Sequence, residues 1–99
     1  MLIKFVAVGQ SMFPLIKSGQ IVYADTETKY DIQNDDIIVF KKVSLRCHRV
    51  VKKFKYNGEI FFLTKGDNNL ENDQFIVSVK EVIGRVVLDG VFSGEYVEE

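Results

Sequence analysis

Asn57-Gly58 lies between two stretches rich in strand-forming residues, 47–56 and 59–64. Both residues tolerate positive φ, which a two-residue hairpin turn demands. The pair predicts an antiparallel hairpin in the middle of the chain and commits its surroundings to β structure. The flanks agree. Ile21-Val22-Tyr23 and Ile37-Ile38-Val39-Phe40 are short apolar runs bounded by Gly, Asn and Asp. Residues 2–8 are rich in strand formers, and 75–79 and 82–88 complete the set. Helix is predicted only over 12–17, at most a turn or two, with Pro14 near its start. Residues 65–74 read as a polar loop full of Gly, Asn and Asp. The fold class expected is all-β.

The 99 residues suit one domain, 1–99, and a hydrophobic fraction of 46% with 8 Phe and 4 Tyr can fill its core. Lys and Arg number 13 against 14 Asp and Glu, so no strong bulk field draws the chain to nucleic acid. The single cysteine, Cys47, excludes an internal disulfide and offers no zinc spacing. No metal or organic cofactor is expected. No stretch approaches the roughly 20 apolar residues that span a bilayer. Residues 1–8 are apolar but short, and without a small-residue cleavage site they do not read as a signal peptide. The tail, 92–99, is acidic.

Three segments carry the chemistry. The first is Gly9-Gln10-Ser11-Met12-Phe13-Pro14. The second is His48-Arg49-Val50-Val51, holding the only histidine. The third is Thr64-Lys65-Gly66-Asp67-Asn68-Asn69, with Asp73 shortly after. A serine hydroxyl is a poor nucleophile at neutral pH. It needs a base within hydrogen-bond reach, and the base works better when a carboxylate holds its tautomer. Each residue also has a plainer role. Ser11 suits a helix N-cap, and the two roles can coexist because a helix N-terminus offers N–H groups to an oxyanion. A lone strand histidine such as His48 is often structural, and Asp67 and Asp73 suit turns. Arg49 is expected in a structural salt bridge. Met12 and Phe13 serve either as cleft walls or as core. Lys41, Lys42, Lys52, Lys53 and Lys55 are expected on solvated strand faces. Cys47 adjoins His48, but strand neighbours point to opposite faces, so the two are not expected to act together.

In this order, G-x-S-M-x-P, H-R-V-V, T-K-G-D-N-N-x-x-x-D and Val82-Ile83-Gly84-Arg85-Val86-Val87 resemble the type I signal peptidases. The resemblance runs from about residue 7 to residue 87. It is greatest to the branch of archaea, the endoplasmic reticulum and some Gram-positive bacteria, which uses Ser-His-Asp where the usual bacterial enzymes use Ser-Lys. It implies a bent, partly closed antiparallel sheet with one short helix after the serine box. It implies a serine endopeptidase that cleaves leader or signal-type peptides after small residues. Ser11 would be the nucleophile, His48 the general base and Asp73 the acidic member. Asp67 would be a second acidic residue, and the alternative to Asp73. Gly9, Gln10, Met12 and Phe13 would border the oxyanion site and the substrate cleft.

The chain departs from the family pattern at Gly19-Gln20 and Asp35-Asp36, where members usually have Gly-Asp. These positions bear on turn geometry. At Gly9, many membrane-bound members carry a hydroxyl residue that assists the oxyanion. Here backbone N–H groups, that of Ser11 among them, would take the task. The implied partner is a peptide or protein substrate with small residues near the cleavage site. The motifs begin almost at once after Met1, so the expectation is a natural anchorless chain in the cytoplasm. It would touch membranes peripherally or through an anchored partner, and would be extracytoplasmic if a flanking anchor is missing. Two other functions compete. One is a non-catalytic peptide-binding or scaffold module that kept the fold. The other is a self-processing domain like those of the repressor autoproteases, disfavoured because His48 stands where they use lysine and no DNA-binding segment fits before Gly9.

Overall fold

The structure is a computed structural model that describes residues 1–88. The acidic tail, 92–99, lies outside the described residues. Seven strands form one antiparallel sheet: β1 (Leu2–Val6), β2 (Ile21–Asp25), β3 (Ile37–Lys41), β4 (Leu45–Tyr56), β5 (Glu59–Lys65), β6 (Ile76–Ser78) and β7 (Val82–Val86). Their order is β1-β2-β7-β3-β4-β5-β6. The sheet curls into a half-barrel, in agreement with the bent, partly closed all-β fold expected.

The Asn57-Gly58 hairpin is present. Asn57 has φ 50° and Gly58 φ 78°, and Tyr56 pairs with Glu59 across the two-residue turn. The β4–β5 register shifts between Val50 and Lys52. Such a bulge bends its strand and sharpens the local twist, which helps the long β4 follow the curl. The last strand, β7, slots between β2 and β3. Gly84 makes this pairing fit, because a Cβ there would lie 2.6 Å from the Asp25 carbonyl oxygen.

The expected short helix over 12–17 is reduced to a run of turns. One helical hydrogen bond forms, from the Ile16 N–H to the Met12 carbonyl at 2.9 Å. Six residues are too few to repay helix nucleation, and Pro14 has no N–H to contribute. Gly19, at φ 91°, turns the chain into β2.

Strand β3 is buried on both faces, which explains its unbroken apolar run. Ile38 and Phe40 join Val50, Phe62, Val77 and Val82 in one core cluster. Ile37 and Val39 join Met12, Ile16, Val22, Ala24 and Val86 in a second. Met12 and Ile16 come from the β1–β2 connection. Burying side chains of this size contributes roughly 1.5–3 kcal/mol each, and this anchors the Ser11 segment against the sheet.

Candidate active site

His48 stands on β4 opposite Ile38 and is 5% exposed. Its ring meets Phe40 edge-on, with centroids 6.1 Å apart. Its Nδ1 lies 2.7 Å from Asp73 Oδ2, and its Nε2 lies 3.2 Å from Ser11 Oγ. A carboxylate only accepts hydrogen bonds, so Nδ1 carries the ring proton and donates it to Asp73. Nε2 is then the acceptor for the Ser11 hydroxyl. A hydroxyl–imidazole–carboxylate row of this kind can move a proton off the hydroxyl and stabilise the imidazolium that results.

The loop between β5 and β6 holds both ends of this row. At one end, the Asp73 N–H donates to the Thr64 carbonyl at 2.8 Å. The Thr64 hydroxyl donates to Asp73 Oδ2 at 2.6 Å. At the other end, the Asn68 N–H donates to the Ser11 carbonyl at 2.8 Å, and Asn68 Nδ2 donates to the Gln10 carbonyl at 3.0 Å. Gly66 lets the loop come this close, since a Cβ there would sit 2.8 Å from the Ser11 carbonyl oxygen. The Asp67 N–H points at the Met12 sulfur, 3.3 Å away.

Asp67 and Asp73 therefore have different partners. Arg49 binds Asp67 through Nε and Nη2, each at 2.8 Å, and donates from Nη1 to the Asp35 carbonyl at 2.8 Å. The Arg49 hydrogen bonds are the main reason the Asp67 carboxyl is held below the usual carboxylate range. Arg49 is thus the salt-bridge residue the sequence suggested. Cys47 is half-buried against the second core cluster, whereas His48 packs on Phe40 of the first, and it reaches the wall of the groove beside Ser11. Burial, aided by the negative charge of Asp67, pushes its thiol up to about 12. It is a poor nucleophile in this state.

A groove of about 490 Å³ opens beside Ser11, His48 and Asp73. Phe5, Ala7, Val22, Val39 and Leu45 give it apolar walls. Gly9, at φ 93°, and the buried Met12 line it too. Gln10 and Phe13 do not. The Gln10 carbonyl is turned away to accept from the Phe13 and Asn68 donors, and Phe13 projects outward, 43% exposed. Thr64 and Asn69 had no role in the sequence reading. Thr64 holds Asp73, and Asn69 lines the groove. The available signal was their place in the T-K-G-D-N-N box. Among the described residues, no group of three or more His, Cys, Asp or Glu side chains could hold a metal ion. No helix among them is long and apolar enough to cross a membrane.

Comparison with known proteins gives the family. The Peptidase S24-like family model matches residues 3–87. The chain is 34% identical over 91 residues to the signal peptidase complex catalytic subunit SEC11C of Homo sapiens, covering 81% of this chain and 47% of that protein. It is 34% identical over 87 residues to the putative signal peptidase complex catalytic subunit SEC11B of Homo sapiens, covering 76% and 52%. Over 44 residues it is 43% identical to an uncharacterized protein of Methanocaldococcus jannaschii, covering 43% and 22%. The chain spans about half the length of the SEC11 relatives it matches. With the family match running through all four sequence boxes, the chain belongs to the Peptidase S24-like family as a signal peptidase-like member.

Proposed function

We propose that this chain is the catalytic domain of a serine endopeptidase that cleaves leader or signal-type peptides after small residues. The observation that carries the reading is the hydrogen-bonded row Ser11–His48–Asp73, at 3.2 and 2.7 Å, on the edge of an apolar groove. Ser11 Oγ attacks the scissile carbonyl while His48 Nε2 takes its proton. Asp73 holds the ring and stabilises the imidazolium. His48 then gives the proton to the leaving amine, and the acyl-enzyme is hydrolysed by water activated in the same way. The Ser11 N–H donates to no described residue, so it is free for the oxyanion.

Strand pairing supports an extended substrate. Residues 45–48 of β4 pair with β3 on one side, whereas β5 pairs with β4 only from Arg49 onward. Among the described residues, the other edge of 45–48 has no strand beside it. A peptide can add there as a strand next to Ser11. The whole chain acts as one domain on a peptide or protein substrate. Incubating the chain with peptides bearing Ala at P1 and P3, followed by mass spectrometry, tests the reading. The wild type should give one cut and Ser11→Ala none. No cut by the wild type across such peptides would favour a peptide-binding module instead.

A further inference from the structure

Thr64 touches Asp73 twice. Its carbonyl accepts the Asp73 N–H at 2.8 Å, and its hydroxyl donates to Asp73 Oδ2 at 2.6 Å. That oxygen is the one that accepts from His48 Nδ1 at 2.7 Å. We propose that Thr64 is a positioning residue that fixes the Asp73 carboxylate in the orientation His48 requires, an inference resting on the Ser11–His48–Asp73 reading above.

Thr64 is wholly buried on β5, paired with Val50, and two residues from Phe62 on the same strand face. Val50 and Phe62 are both core residues of the first cluster. Valine has the same shape as threonine and would suit such a position. A hydroxyl there is costly to bury unless it is hydrogen-bonded, and the partner it has is Asp73. A carboxylate held by one imidazole N–H can swing about its Cβ–Cγ bond. A second donor on the same oxygen, carried by a β-branched side chain with restricted χ1, removes that freedom. Thr64 reaches neither Ser11 nor the groove, so it acts through Asp73 alone.

The test compares Thr64→Val, which keeps the shape and loses the donor, with Thr64→Ser, which keeps the donor. Thr64→Ala supplies a second donor-free variant if valine fails to fold. Two readouts apply: kcat and KM on a peptide with Ala at P1 and P3, and the proton NMR resonance of the His48 Nδ1–H. That resonance is assigned without ambiguity because the chain has 1 His. In Thr64→Val, kcat should fall roughly ten- to a hundredfold with KM little changed, and the resonance should broaden or move upfield. Thr64→Ser should restore both. Wild-type kcat and an unchanged resonance in Thr64→Val would overturn the proposal, as would equal losses in Thr64→Ser. If the wild type cleaves nothing, it is the peptidase reading that fails. The resonance alone then decides the role of Thr64: perturbed in valine and restored in serine supports it, and unchanged in valine overturns it.

Discussion

Asp67 is gripped by Arg49 through two hydrogen bonds of 2.8 Å, which leaves Asp73 as the carboxylate that meets His48. Two acidic residues six positions apart on one loop are thereby given separate tasks. One ties the loop to β4 and to the Asp35 turn, and the other faces the imidazole.

The Arg49–Asp67 pair predicts a specific pH dependence of stability. Its carboxyl is held below the usual range by the guanidinium hydrogen bonds. The unfolded carboxyl titrates at about 3.9. A depressed folded value means that the stabilisation is present above that pH and is lost as pH falls through the folded value. With 30% and 23% of the two side chains exposed, the pair is worth on the order of 1 kcal/mol or less. Asp67→Asn should be slightly less stable than the wild type at pH 7, and the gap should close in acid. Denaturant melts of both at neutral and acid pH check this. A gap that widens in acid would contradict it.

Gly66→Ala should damage cleavage more than stability. The added Cβ would meet backbone, the Ser11 carbonyl at 2.8 Å, and so cannot be accommodated by a rotamer change. Ser11 must shift instead. A displacement near 1 Å costs roughly a hundredfold in rate. Kinetics and a thermal melt on the same preparation check it, and wild-type kcat would contradict it.

Cys47, half-buried at the wall of the groove, should behave as an unreactive thiol. With its pKa pushed up to about 12, it is almost wholly protonated at pH 8. Alkylation by iodoacetamide should be slower than in the urea-unfolded chain by about two orders of magnitude or more. Cys47→Ala should still cleave. Loss of cleavage in Cys47→Ala would point to a thiol mechanism.

Much of this fold was legible because its signals are local. Asn57-Gly58 marked the hairpin, and the short apolar runs marked the strands to within a few residues. The position of β7 between β2 and β3 was not legible, because it pairs segments far apart in sequence and leaves no local pattern. The 3-10 turn Val79–Glu81 was missed although Ser78 and Glu81 form a capping box readable as S-x-x-E. At the site, the boxes named Ser11, His48 and both aspartates. Which aspartate meets His48 depends on where Arg49 points, and that is decided only when β4 and the loop come together. Gln10 and Phe13 lie within two residues of Ser11 in sequence, yet neither lines the groove.

Ser11 and His48 should work as one unit. The most direct test is cleavage of a leader peptide with Ala at P1 and P3 by the wild type, Ser11→Ala, His48→Ala and the double variant. Losing either partner stops the same proton-coupled attack, so each single change should lower kcat by roughly 10⁴–10⁶-fold, and the second change should add little. Substantial cleavage by His48→Ala, or losses that multiply in the double variant, would contradict it.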